Sequence, residues 1–213
     1  FMHFKKNKKD ILHIIQNFEL KKLLHDNIKK KKNIKIYNKI VKNFDIQKNR
    51  IFISQKSYTY DLILLCVGKN SHFISNLFNK RFIEKNLDEI AFTSIAKHNS
   101  NIITPKQYFL KEGPLAILPI NKNSFSFVWS VSSFYKKFPL KKNEKLIKEK
   151  LEEILNLKNK IYLNKLKYFP ISFKFNTSFS KKNCLTLGEG SYNILPIAGQ
   201  GFNLILRDIK KLY

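Results

Sequence analysis

The chain has 213 residues, 43% hydrophobic and 14% aromatic, which supplies a packed core and excludes a wholly disordered chain unable to offset its conformational entropy. Its 41 Lys and Arg face 15 Asp and Glu for a formal charge of +26, yet only Arg50, Arg81 and Arg207 are Arg. Nucleic-acid readers rely on the planar fork of Arg, so no nucleic-acid partner is expected. The excess reads as A/T-rich codon usage in a chain crowded with Lys, Asn, Ile and Phe, with attraction to anionic membranes as a secondary consequence.

The apolar runs fall short of the roughly 20 residues that a membrane-spanning helix needs. Cys66 and Cys184 make no disulfide framework and fit a reducing compartment. Lys5, Lys6, Lys8 and Lys9 are not followed by a clean apolar stretch, so no signal peptide is expected.

In chain order, residues 17–30 read as a helix capped by Asn17, with Phe18, Leu20, Leu23, Leu24 and Ile28 at helical spacing. Strands are expected at 34–40, 50–54 and 60–67, the last apolar enough to be covered on both faces. A turn at 68–71 leads to a helix through Ile74, Leu77 and Phe78. Residues 87–132 are strand-rich, with strands at 90–98, 107–111, 115–120 and 124–132. In the last, Phe125, Phe127 and Trp129 alternate with Ser124, Ser126, Val128 and Ser130. Residues 140–157 form an amphipathic helix with Leu146, Ile147, Leu151, Ile154 and Leu155 on its stripe. Strands at 168–175 and 184–187 precede a closing helix over 202–212. The lysine clusters at 5–9, 29–32, 136–142 and 181–182 read as solvated loops and helix ends.

The chemistry concentrates near the end of the chain. An apolar strand stops at Gly188-Glu189-Gly190, and a loop with Pro196 and Gly199-Gln200-Gly201 feeds the closing helix. Glycines permit close backbone approach and unusual dihedrals, and a helix N-terminus offers free N–H groups and partial positive charge to an electron-rich ligand. Glu189 at the strand tip can accept hydrogen bonds from hydroxyls. Elsewhere, His3, His13, His25, His72 and His98 are scattered without ligand spacing, so no metal site is expected. Both cysteines fall in strands expected to be buried, where an inert thiol is the default.

Several motifs together resemble the ubiquinone-biosynthesis monooxygenases, within the class A flavin-dependent aromatic hydroxylases. The run Gly188, Glu189, Tyr192, Pro196, Gly199, Gln200, Gly201, Phe202, Asn203, followed by Arg207-Asp208, is similar to that family's strand-Gly-Asp, His, Pro and Gly-Gln-Gly-hydrophobic-Asn signature. The family's Gly-Pro-x-Ala-x-Leu-Pro strand resembles Gly113-Pro114-Leu115-Ala116-Ile117-Leu118-Pro119, and its Val-Trp pair resembles Val128-Trp129. Its Ala-Asp-Gly-x-x-Ser strand end aligns with Cys66-Val67-Gly68-Lys69-Asn70-Ser71. Three positions depart: Val67 and Glu189 stand where the family has Asp, and Tyr192 where it has His.

The resemblance implies an α/β chain with the FAD/NAD(P)-binding, para-hydroxybenzoate-hydroxylase-like fold, lacking its N-terminal βαβ unit, and a mainly antiparallel substrate-domain sheet. Residues 1–71 and 183–213 are assigned to the FAD-binding domain and 72–182 to the substrate sheet. It implies FAD as cofactor, bound by Gly188, Glu189, Pro196, Gly199, Gln200, Gly201, Phe202 and Asn203, with Glu189 at the ribitol and the helix start beside the isoalloxazine. NAD(P)H is implied as reductant and O2 as co-substrate, with hydroxylation of a polyprenyl phenol as the reaction. Phe125, Phe127 and Trp129 are substrate-pocket candidates, with ordinary sheet core as their alternative role. No Gly-x-Gly-x-x-Gly occurs anywhere in the chain, which leaves the FAD pyrophosphate without its usual cradle; the chain is expected to be a fragment cut at both ends, with a degenerate paralogue as the alternative. Such an enzyme is expected in the cytoplasm or peripheral on the inner membrane face, in the company of other quinone-biosynthesis proteins. The alternative is a non-catalytic basic module that docks on anionic membrane or nucleic acid.

Overall fold

Strand-forming alternation and helical periodicity sort the chain into elements that a computed structural model describes for residues 2–6, 9–68, 71–78, 82–100, 104–157, 161–194 and 199–213. In order they are β1 (Met2–Lys6), β2 (Lys9–Ile14), α1 (Asn17–Lys29), β3 (Val41–Asp45), β4 (Arg50–Ile53), β5 (Lys56–Thr59), β6 (Ile63–Leu65), α2 (His72–Phe78), β7 (Phe82–Lys97) and β8 (Lys106–Leu110). There follow β9 (Gly113–Asn121), β10 (Ser124–Ser132), α3 (Leu140–Leu155), β11 (Tyr162–Leu163), β12 (Lys167–Asn176), β13 (Ser180–Lys181), β14 (Cys184–Thr186), β15 (Tyr192–Asn193) and α4 (Gln200–Leu212). Contacts group them into two compact units, Phe1–Ile34 with Asp88–Ile171, and Lys35–Leu87 with Ser172–Tyr213. The domain boundaries expected from sequence lie instead at 71/72 and 182/183.

The first unit is built on an antiparallel sheet in which β7, β10, β9 and β8 lie side by side, with β12 on the other flank of β7. Its register places Phe125, Phe127 and Trp129 of β10 opposite Ala96, Ser94 and Phe92 of β7, so these residues share one face of the sheet. That face joins Ile147 and Leu151 of α3 in the core. The helix forms as expected because its apolar stripe repeats at helical spacing, and it stops at Asn156, which adopts the left-handed conformation at φ 48°. Asn143, buried on α3, donates its side-chain amide to the Tyr135 carbonyl at 2.9 Å. Gly113 opens β9 at φ +133°, and a Cβ there would lie 2.1 Å from the Ser130 carbonyl oxygen.

Three local features of this unit differ from expectation. Asn17 does not cap α1: Gln16 takes the cap position without a side-chain bond. The helix also buries none of its residues, and Phe18 is 76% exposed. A hairpin of β1 and β2, paired from Met2↔Ile14 to Lys6↔Lys9, precedes it, where no strand pair was expected.

The second unit contains an antiparallel meander of β3, β4 and β5, and a sheet in the order β13-β14-β6. β14 and β6 are parallel, with Cys184↔Ile63 and Thr186↔Leu65. Leu65, Ile74, Leu77, Phe78 and Cys184 form the core here. The strand expected at 34–40 is irregular; pairing starts at Val41, which meets Ile53. Alternation alone makes no strand without a neighbour for its backbone groups. The strand expected over 60–67 shortens to β6, and coverage on both faces is overturned, since Leu62 and Leu64 are 58% and 48% exposed while Leu65 is buried. Cys66 is likewise exposed rather than buried, whereas Cys184 is buried and its thiol pKa is pushed up by desolvation.

Candidate functional site

The parallel strands β6 and β14 end side by side, and the Leu187 amide extends the pairing by donating to the Leu65 carbonyl at 3.1 Å. Beyond this point the chain makes a single 3-10 turn over Gly188–Gly190. Gly188 sits at φ +75°, a conformation that glycine adopts at low cost. Gly190 is buried, and a Cβ on it would stand 3.0 Å from both the Val67 carbonyl oxygen and Ile74 Cδ1. The bend after β6 and the turn after β14, distant in sequence, therefore meet at the carboxyl ends of two parallel strands. In open α/β sheets that edge is where ligands bind. Glu189 projects at the tip and is exposed.

The turn is held by polar side chains. The Ser191 amide donates to the Gly188 carbonyl at 2.9 Å, and Ser191 Oγ bonds Thr186 Oγ1 at 3.0 Å. Asn176 of β12 is buried; its backbone amide donates to the Ser191 carbonyl at 2.9 Å and its side-chain amide donates to the Gly190 carbonyl. Just past the turn, β15 pairs with β12 through Tyr192↔Phe175 and Asn193↔Lys174. Asn193 adds a bond from its side-chain amide to the Ser172 carbonyl at 2.9 Å.

Helix α4 begins at Gly199, which takes the cap position at φ 63° with no side-chain bond to the first amides. Gly199 and Gln200 are exposed, and among the described residues nothing lies within 4 Å of a Cβ built on Gly199. Among the described residues, then, no side chain caps the start of the helix, which carries the positive end of its dipole. Gly201, Leu204, Ile205 and Asp208 form the half-buried stripe of α4. Ile194 Cγ1 is 3.9 Å from a Cβ built on Gly201, and Ile205 Cδ1 is 3.8 Å from one built on Gly188. The Tyr192 hydroxyl donates to the Asp208 carboxylate. Burial raises the Tyr192 pKa, and the neighbouring carboxylate adds to the rise.

Of the residues singled out from sequence, Gly188, Glu189, Gly199 and Gly201 fall in this one region. Gln200, Phe202 and Asn203 open the same helix with exposed side chains. Pro196, Lys69 and Asn70 lie outside the described residues. Phe125, Phe127 and Trp129, at 0%, 0% and 2% exposure, are sheet core against α3; no face of theirs is left for a substrate, which corrects their candidacy. Sequence reasoning missed Asn176, Thr186 and Ser191, whose spacing carries no signature. Asp208 was visible within its motif but not as a hydrogen-bonded group, although its place seven residues after Gly201 puts it on the packing stripe.

An electron-rich ring edge fits the glycine-capped helix start, whose backbone can be approached closely. The chain's glycines offer no comparable cradle for a pyrophosphate.

No protein-family model matches the chain. Over 138 residues it is 24% identical to the mitochondrial ubiquinone biosynthesis monooxygenase COQ6 of Dictyostelium discoideum, a match covering 50% of this chain and 28% of that protein. Among solved structures it is similar to pqsL, a probable FAD-dependent monooxygenase from Pseudomonas aeruginosa, with TM-score 0.70 and 15% identity over 90% of this chain and 57% of that one. It is also similar to CmlS, a flavin-dependent halogenase, with TM-score 0.68 and 17% identity over 89% of this chain and 37% of that one. The fold is therefore one found in a probable FAD-dependent monooxygenase and in a flavin-dependent halogenase, and the sequence match is to a ubiquinone biosynthesis monooxygenase. The chain spans well under two thirds of the length of each of these relatives.

Proposed function

We propose that this chain forms part of an FAD-dependent monooxygenase that uses NAD(P)H and O2 to hydroxylate an electron-rich polyprenyl phenol in ubiquinone biosynthesis. The observation that carries the reading is the glycine-capped start of α4, a helix whose Ile205 lies against the Gly188–Gly190 turn. A flavin held there supplies oxygen activation and hydroxyl transfer. The chain's own part is to bind and orient it. The start of α4 would face the pyrimidine edge, where reduction places negative charge that a helix dipole stabilises. Glu189 would accept hydrogen bonds from ribitol hydroxyls. Choice of a phenol over the halogenation substrates of similar folds rests on the kinship to COQ6.

The face of the sheet opposite the core is the proposed floor for the substrate. There Ser126 and Val128 of β10 lie opposite Ile95 and Thr93 of β7, a partly exposed surface of mixed polar and aliphatic side chains, with Ser130 and Ala91 buried further along the same face. A polyprenyl substrate would place the protein in the cytoplasm, peripheral on the inner membrane face and near other quinone-biosynthesis proteins. No described helix is long and apolar enough to cross a membrane. The exposed Phe18, Leu23 and Leu24 beside Lys21 and Lys22 on α1 give the second reading, a basic module on anionic lipid, its one specific support.

Titration of the chain with FAD, FMN and riboflavin, followed by flavin fluorescence, tests the proposal. Saturable but weak binding is expected, with similar affinity for all three because the isoalloxazine carries the recognition. Absence of binding by every flavin, together with salt-sensitive capture by anionic vesicles, overturns it in favour of the basic module.

A further inference from the structure

Helix α4 buries none of its residues; Phe202, Leu206 and Ile209 are about half exposed. Apolar contact alone therefore holds its position along its own axis weakly. The stripe it turns inward is interrupted by one charge, Asp208, placed after Leu204 and Ile205 where an apolar residue would continue the pattern. A half-buried carboxylate is costly unless a donor meets it, and the donor is the Tyr192 hydroxyl. Tyr192 stands two residues beyond Gly190 in β15, so the bond ties α4 to the strand that leaves the Gly188–Gly190 turn. A slip of α4 by one turn, about 5.4 Å, would strand the carboxylate and carry Gly201 away from Ile194.

We propose that the Tyr192–Asp208 hydrogen bond is the pin that fixes the register of α4 against the Gly188–Gly190 turn, making Tyr192 a positioning residue for the helix start. Its bearing on the cofactor rests on the flavin reading above; the pin itself does not. Polar pairs that specify register at some expense in stability are well attested in packed helices. Here the device sets where the first turn of α4 stands.

Amide hydrogen exchange of the ligand-free chain, read by mass spectrometry, tests the pin directly. Tyr192→Phe should accelerate exchange over residues 200–208 by about tenfold, the scale of one lost bond to a charged group, while β9 and β10 keep their protection. Tyr192→His, which can still donate to the carboxylate, should restore it. In parallel, Tyr192→Phe should weaken riboflavin binding about tenfold by the same bond scale, again rescued by His. Unchanged exchange in α4, or acceleration spread evenly over the chain, overturns the proposal. Altered exchange in a chain that binds no flavin in any form leaves the pin standing and refutes the flavin reading instead. Should Tyr192→Phe fail to fold, Asp208→Asn should keep α4 protected and Asp208→Ala should loosen it; identical behaviour of the two overturns the pin.

Discussion

Replacing Gly199 separates backbone strain from occupancy of the space above the α4 start. At φ 63° an L-residue pays for the left-handed conformation, about 1–2 kcal/mol for Ala and less for Asn, whose short polar side chain tolerates that region. Nothing among the described residues lies within 4 Å of the new Cβ, so no steric cost from the protein is added. Gly199→Ala should then lower the thermal midpoint by about 2–4 °C per kcal/mol for a chain of this size, and Gly199→Asn by less. If the flavin edge rests on the exposed amides, both side chains stand in its place. Riboflavin affinity should then fall by more than tenfold in both, a binding loss above about 1.4 kcal/mol. The decisive case is Gly199→Asn, in which binding is lost while stability is nearly kept. A Gly199→Asn variant that binds flavin as tightly as the parent would show that the space over the cap is not the ligand's, and the argument from the helix start would fail.

Three further outcomes follow from the packing. Gly113→Ala drives a Cβ to 2.1 Å from the Ser130 carbonyl at φ +133°; strain and overpacking together should remove about 3 kcal/mol or more, seen as a shifted denaturant midpoint or as insoluble protein. Leu151→Ala empties a fully buried site in the α3–sheet core and should cost about 2–5 kcal/mol in chemical denaturation. His98 is buried, its Nδ1 accepts from the Ser100 amide at 3.1 Å, and desolvation lowers its pKa below the ordinary 6.5. The unfolded chain therefore takes up the proton first, so the stability contributed by neutral His98 is complete above the unfolded value and is lost as pH falls beneath it. The slope cannot exceed about 1.4 kcal/mol per pH unit, and His98→Gln should flatten the fall in thermal midpoint between about pH 6.5 and pH 5.

The long periodic elements were legible because many residues vote for each. The stripe from Leu146 to Leu155 and the alternation through Trp129 gave α3 and β10 nearly to the residue. The glycine bends were legible through the backbone conformations they permit, and Gly188 and Gly199 do adopt positive φ. What escaped depends on partners that spacing does not encode. Alternation identifies which β10 residues share a face but not which face α3 covers, so it offers Trp129 to a substrate when that residue belongs to the core. Ile34, Ile36 and Ile40 alternate like a strand yet find no ladder, and Leu64 sits in an apolar run yet remains exposed. Asn176 is an ordinary polar residue in a strand until the fold sets the Gly190 carbonyl beside its amide.

The order in which the two units draw on the chain governs how it can be handled. Each is assembled from two separate stretches, and β7 and β12 each begin in one and finish in the other. No single cut can release either as an autonomous piece, and half-length truncations should emerge unfolded. Because β6 pairs with β14, about 120 residues further along the chain, assembly proceeds through nonlocal closures and should be slow for its size. Nascent chains will spend that interval with their leucines uncovered, so low temperature and low expression rates are the conditions under which this protein should be produced.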